Sequence, residues 1–210
     1  MGAGASTMAE SAGVSKETTD ALMSLPDGVK KELEEKMMKA APAGTAAVAP
    51  PGGKWLAEGK PVLTLEAADA MASAALAECR ERKFKDISVF VLDPAGRVLV
   101  SKTMLGCPKL IPDIAHSKAG ACIGTHSSSR ALKDKYVPDR TPQLLAMTTM
   151  GFATNQPFAA VPGGVLCRDA SKNVVGAIGV SGASADEDEH CAILGAQAVG
   201  LVTEPAKSAL

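Results

Sequence analysis

The chain has 210 residues, of which 46% are hydrophobic, and a formal net charge of -1. This length suits one globular domain with an additional segment, and the near-neutral charge provides no basic field that would attract nucleic acid. No apolar run approaches the roughly 18 residues that indicate a transmembrane helix. Aromatic residues make up only 3% of the chain, so its core must be packed from small side chains at close backbone approach.

Residues 1–62 predict a helical extension followed by an extended arm. Residues 15–40 place apolar side chains at helical spacing, and Pro26-Asp27-Gly28 divides them into two pieces. Residues 41–61 are rich in alanine, proline and glycine, a composition typical of a linker. They include Trp55, the only tryptophan of the chain. We expect it to act as an anchor in a groove, with a loosely packed ring as the alternative.

The first six residues, Met1-Gly-Ala-Gly-Ala-Ser6, fit the pattern for N-myristoylation, in which Gly2 is acylated after removal of the initiator methionine. No polybasic segment follows them. A single acyl chain therefore predicts only weak, reversible association with a membrane, as a peripheral protein.

Residues 63–205 predict a domain of alternating helices and strands. Helices are expected at about 64–82, 112–133, 141–150 and 186–202, and strands at about 87–93, 97–103, 165–169 and 173–181. The strands form two antiparallel hairpins, and helices separated by such hairpins indicate the α+β class. Ser127-Ser-Ser129 is interpreted as a solvated stretch of the second helix.

The five cysteines predict reduced thiols. Their number is odd, they include no C-x-x-C pair, and their spacings match no zinc site. The N-terminus has neither the basic head nor the continuous apolar core of a signal peptide. We therefore expect a cytoplasmic protein without a dedicated metal site.

The segment 161–196 carries the most informative pattern. Pro162-Gly163-Gly164 opens an apolar run, and its glycines permit backbone conformations closed to other residues and leave two amides unshielded. A small-residue strand follows, and Asp186-Glu-Asp-Glu189 then begin a helix, where acidic side chains are favoured by the helix dipole.

The order and spacing of these pieces resemble the GlcG/HbpS-like family, which includes haem-binding proteins and the C-terminal domain of PduO-type corrinoid adenosyltransferases. Three further segments match it: Ile87–Asp93 with Pro94-Ala-Gly-Arg97; Asp113-Ile-Ala-His-Ser-Lys-Ala119 with Gly124; and Ser181-Gly182 with Asp188 and Cys191-Ala192. The resemblance covers residues 63–203 and implies a profilin-like layer, an antiparallel sheet of about five strands flanked by helices. Leu166 and Ala121 depart from the family pattern, which affects the expected ligand more than the fold.

Lys118 stands at the family's lysine position among small residues, where it can approach a carboxylate, a phosphate or a propionate. If the domain folds as the family does, Gly163, Gly164 and Asp188 complete a shared ligand pocket around it. A purely structural ion pair between Lys118 and Asp188 is the alternative.

The chain has three histidines and no Walker loop or nucleophile elbow. His116 and His126 are ten residues apart, about 15 Å along a helix, too far to share one metal ion. Haem needs only one or two axial ligands and an apolar slot. His116 or His190 is therefore a candidate axial ligand, and a surface role is the alternative for each.

The leading hypothesis is an oligomeric protein that binds a small ligand without classical catalysis. The resemblance implies that this ligand is haem or a related tetrapyrrole. One alternative is an enzyme for a small anionic metabolite, with Lys118 as electrophile or base and Asp188 as its partner. Another is an assembly or adaptor protein that works through its N-terminal arm. Because small-residue strands give little core area, we expect a closed homo-oligomer larger than a dimer, with Trp55 shielded.

Overall fold

The computed structural model describes residues 61–210 without a gap, together with Ser24, residues 26–29, Lys31 and Gly59. Gly59–Leu210 form one compact unit. In the N-terminal part, residues 27–29 and Lys31 are helical and directly follow Pro26. The remaining predictions for this part, including those on Gly2 and Trp55, lie outside the described residues.

Residues 61–210 contain five helices and five strands. In chain order these are α1 (Leu65–Glu81), β1 (Ser88–Leu92), β2 (Val98–Thr103), α2 (Ile111–Thr125), α3 (Ser129–Tyr136), α4 (Thr141–Ala153), β3 (Gly164–Arg168), β4 (Val174–Ser181), α5 (Ala185–Gln197) and β5 (Val202–Glu204). All neighbouring strands are antiparallel, in the order β2-β1-β4-β3-β5. The predicted α+β class, both hairpins and the sheet of about five strands are confirmed.

Helices cover both faces of the sheet. α1 and α5 pack together on one face, over alternate strand residues such as Val89, Val91 and Ile178. α2 packs on the other face, over Leu92, Leu166 and Ala177. The alternation of side chains along each strand thus produces three layers with two separate apolar contacts.

Small residues let α2 lie almost directly on the central strand. A Cβ atom at Gly179 of β4 would collide with the carbonyl oxygen of Ala115 and would lie 2.7 Å from the backbone nitrogen of Ala119. The protein thereby gains core density without aromatic rings, as its composition predicts.

The helix predicted over 112–133 is in fact two helices. α2 ends at Thr125, because His126 adopts a left-handed conformation with φ of +52°. The side chain of Ser128 then accepts a hydrogen bond from the Ala131 amide and begins α3. Ser129 is fully buried, so its interpretation as part of a solvated stretch was wrong.

The last predicted helix is also shorter than expected. α5 ends at Gln197, Gly200 takes a φ of +77°, and Val202–Glu204 pair with β3 as the fifth strand.

Among the described residues, no helix has the length and apolar character needed to cross a membrane.

Candidate functional site

The structure brings Lys118 of α2 and Asp188 of α5 into direct contact. The Nζ atom of Lys118 lies 2.8 Å from Oδ2 of Asp188 and also donates to the carbonyl oxygen of Val180, 2.9 Å away. The other carboxylate oxygen, Oδ1, accepts from the Ala183 amide at 3.0 Å. Since α2 and α5 lie on opposite faces of the sheet, this ion pair ties the two helical layers together.

Gly163 provides the space in which the ion pair forms. Its φ is +119°, and a Cβ atom there would lie 2.6 Å from the Val180 oxygen and 2.7 Å from Nζ of Lys118. Both the backbone conformation and the free space therefore require glycine at this position. The Gly-Gly turn, singled out in the sequence, is explained at Gly163 by the need to admit a lysine amine.

Gly164 is held by a residue that the sequence reasoning missed. The Ser129 hydroxyl accepts from the Gly164 amide at 2.8 Å and lies 3.2 Å from its carbonyl oxygen, to which it donates. We call the set Lys118, Ser129, Gly163, Gly164 and Asp188 the glycine junction. The polar side chains of the junction are hydrogen-bonded to one another and to nearby backbone groups. The Lys118 side chain is only 2% exposed.

Burial controls protonation in the glycine junction. It lowers the pKa of the Lys118 amine and raises that of the Asp188 carboxyl, while their contact with each other opposes both shifts. An amine with a lowered pKa is suited to act as a base or nucleophile. In this conformation, however, the amine is closed to a substrate, and the contact of these residues with a ligand stays a prediction.

A second set of charges lies beside the junction. The Nε atom of Arg130, on α3, is 2.7 Å from Oε2 of Glu189, and the same guanidinium also pairs with Asp186. Burial raises the pKa of the Glu189 carboxyl, and Arg130 opposes that rise. The Oε1 atom of Glu189 is buried without a hydrogen-bond partner in the part of the chain described. The acidic run 186–189 revealed a helix start but not that Glu189 points inward.

The two candidate axial ligands occupy different surroundings. The ring of His116, on α2, stacks on Phe90 of β1, with centroids 5.1 Å apart and an angle of 16° between the planes. His190, on α5, is buried, and its Nε2 atom lies 2.7 Å from Oε1 of Glu78. Neither histidine belongs to the glycine junction.

Burial lowers the pKa of His116, which is half-buried, so its imidazole is neutral at neutral pH. Its ring nitrogens make no hydrogen bond to any residue within the described range. A neutral imidazole with an available nitrogen is the form in which histidine binds haem iron.

Within the described residues, no group of three His, Cys, Asp or Glu side chains is placed to hold a metal ion. All five cysteines lie in this part, their thiols are free, and four of them are buried.

Comparison with known proteins places the chain in a family. The family model described as haem degrading protein HbpS-like matches residues 63–197, and no curated protein sequence matches the chain. Klebsiella pneumoniae protein ORFY, of family DUF336, is 22% identical, with a TM-score of 0.59 over 68% of this chain and 94% of its own. The PduOC complex with haem is 18% identical, with a TM-score of 0.59 over 68% and 99%. A double mutant of HbpS from Streptomyces reticuli is 28% identical, with a TM-score of 0.57 over 76% and 99%. Because the family model spans well over half of the sequence, this chain belongs to the HbpS-like family.

Proposed function

We propose that this protein binds haem or a closely related tetrapyrrole, and that the imidazole of His116 is the axial ligand. Membership of a family described as haem-degrading supports the ligand class. A protein of the same fold, PduOC, is known in complex with haem. The observation that carries the proposal on this chain is the half-buried imidazole of His116, which stacks on Phe90 and makes no hydrogen bond within the described residues.

The surroundings of His116 suit a flat ligand. α2 packs over β1, β4 and β3 but makes few contacts with the edge strand β2. Ser101 of β2 is the cross-strand partner of Phe90, so both side chains lie on the α2 face of the sheet. Ser101 is exposed. The stacked pair of His116 and Phe90 therefore lies beside an uncovered margin of the sheet, where a planar ring can approach the imidazole.

The glycine junction contributes to this proposal by positioning. Lys118 follows His116 by two residues on α2 and ties that helix to α5 and β4. A helix fixed at this point holds the imidazole in one place relative to Phe90. Pre-organised ligands of this kind lower the entropy cost of binding.

Hemin titration of the purified protein tests the proposal. The wild-type protein is expected to give a saturable shift of the Soret band, and His116→Ala is expected to abolish or strongly weaken it. His126→Asn and His190→Gln are the matched controls, because asparagine tolerates a left-handed backbone and glutamine can still hydrogen-bond to Glu78. Spectra of free hemin throughout the wild-type titration contradict haem binding. A loss with His190→Gln alone moves the axial ligand to His190.

The proposal includes assembly into a closed homo-oligomer. The central strand β4 carries glycine at 176 and 179 and alanine at 177, so its side chains contribute little apolar area to the core. Burial of surface between subunits adds stability in such a case. A solution mass well above the 21.3 kDa of one chain, measured by light scattering at micromolar concentration, is the expected result.

A further inference from the structure

Helix α4 is unusual in both composition and exposure. None of its 13 residues, TPQLLAMTTMGFA, is charged, although charged residues make up 21% of the whole chain. Only Gly151 is buried, and Leu144 and Met147 are half-buried. These three residues lie on one side of the helix, so the remainder of its circumference faces outward. Such a helix is normally covered by a partner.

The outward side carries a compact uncharged face. Leu145 and Phe152 are seven residues apart, two turns of helix, and so lie on the same side. They are 65% and 90% exposed, and Thr148 and Thr149 lie between them. We call Leu145, Thr148, Thr149 and Phe152 the α4 face. It has a bulky apolar side chain at each end and small side chains in the middle.

We propose that the α4 face is a contact surface for a second copy of this chain, related by a two-fold axis near Thr148 and Thr149. An antiparallel pairing of two such faces places Phe152 of each copy beside Leu145 of the other. It leaves the small threonines facing each other across the axis. The bulky, small, small, bulky order is therefore self-complementary, as a two-fold contact requires.

The absence of charge on the α4 face favours a second copy over an unrelated partner. Electrostatic complementarity is a main source of partner selection between different proteins, and this face offers none. The centres of interfaces, in contrast, are depleted of charge and rich in aromatic residues. A second copy of the chain presents an identical uncharged face, so the two faces match without any need for opposite charges.

The exposed area agrees with the apolar centre of such a contact. A buried aromatic side chain contributes about 150–250 Å² of contact area. A buried leucine contributes on the order of 100 Å², the area that corresponds to its burial free energy of about 1.5–3 kcal/mol at ~25 cal/mol per Å². With the threonine methyl groups, the α4 face supplies roughly 300–400 Å² per copy. A standard interface buries about 800 Å² per partner, of which about 57% is apolar. The face therefore supplies most of that apolar share.

Light scattering of charge-bearing variants tests the assignment, which rests on the homo-oligomer of the proposed function but not on haem. Leu145→Glu and Phe152→Glu are expected to lower the solution mass, because each variant buries a carboxylate against the bulky apolar side chain of the other copy. Leu105→Glu is the matched control, since Leu105 is a fully exposed leucine outside α4, and it should keep the wild-type mass. Thermal melting confirms that each variant is folded.

A cross-linking measurement provides an independent readout. A two-fold contact brings the middle of the α4 face next to itself, so Thr149→Cys is expected to form an intermolecular disulfide under mild oxidation. The exposed Thr103→Cys, on the edge strand β2, is expected to stay largely uncross-linked.

The outcomes separate the assignment from the rest of the proposed function. A monomeric wild-type protein overturns both the oligomer and the α4 contact. An oligomer whose mass is unchanged in Leu145→Glu and Phe152→Glu, without a Thr149→Cys cross-link, overturns only the α4 contact. Hemin titration of these variants reports on haem binding independently of either result.

Discussion

Replacing Lys118 by methionine tests whether the buried ion pair holds the domain together. Methionine keeps the length and apolar stem of the side chain but removes the amine, so Asp188 keeps a buried charge without its cation. Removing one partner of a buried ion pair costs about 3–5 kcal/mol. At roughly 2–4 °C per kcal/mol for a chain of this size, the melting temperature should fall by about 6–20 °C.

The double variant Lys118→Met/Asp188→Asn is the control that isolates the charge. The asparagine Oδ1 atom can still accept from the Ala183 amide, 3.0 Å from the present carboxylate oxygen, but carries no charge. We therefore expect the double variant to be more stable than Lys118→Met alone, in urea or thermal unfolding followed by circular dichroism. If the losses of stability in Lys118→Met and in Asp188→Asn simply add up to the loss in the double variant, the ion pair is not what stabilises the contact.

The pH dependence of Lys118→Met gives a further check on the same reasoning. Burial raises the pKa of Asp188, and loss of the nearby cation raises it more. A carboxyl group whose pKa is raised on folding binds protons more tightly in the folded state. The free energy of unfolding therefore falls as the pH rises from the ordinary carboxyl pKa of the unfolded chain through the raised pKa of the folded protein. The deficit of Lys118→Met relative to the wild type should be smallest in acid and largest at neutral pH.

Three further predictions concern neighbouring residues. Gly163→Ala should destabilise the domain by about 1–3 kcal/mol, because the new Cβ meets the Val180 oxygen at a positive φ; an unchanged urea midpoint would contradict this. Ser129→Ala should cost about 1–3 kcal/mol by leaving the buried Gly164 amide without an acceptor. Ser127→Ala, two residues earlier in the same serine run, is its control in the same assay. Arg130→Met should lose more stability at neutral pH than at a pH near the ordinary carboxyl pKa. Burial already raises the pKa of Glu189, and at neutral pH this carboxyl group would ionise without its cation. Equal losses at both pH values would refute the argument.

The elements with strong local signals were predictable from the sequence. Thr64 accepts from the Ala67 amide at the start of α1, as an N-cap residue should. Both hairpins lie where apolar runs flank turn residues. The sequence also singled out Lys118, Gly163, Gly164 and Asp188 together, through the family resemblance, and the structure places them in contact.

The errors arose where tertiary contacts decide the local structure. The break at His126 involves neither glycine nor proline. Its one local signal is the N-cap residue Ser128, which lies in a serine run that was interpreted as part of a continuous helix. Ser129 is polar and lies in a serine run, and only its contact with Gly164 explains its burial. Glu189 belongs to an acidic helix start, where its charge predicts an exposed side chain. In the structure the side chain is buried and forms an ion pair with Arg130. The sequence shows none of these long-range partners.

The strand order also shapes how the domain comes apart and together. Each hairpin joins neighbours in the chain, but the pairing of β1 with β4 joins Ser88 to Ser181 across three intervening helices. Closing so long a loop is slow, so we expect the two hairpins to form early and to meet late in folding. In a destabilised variant, the pairing between β1 and β4 is therefore the contact that separates first. Opening there exposes two unpaired strand edges at the centre of the sheet, which makes misassembly by strand addition the foreseeable route of aggregation.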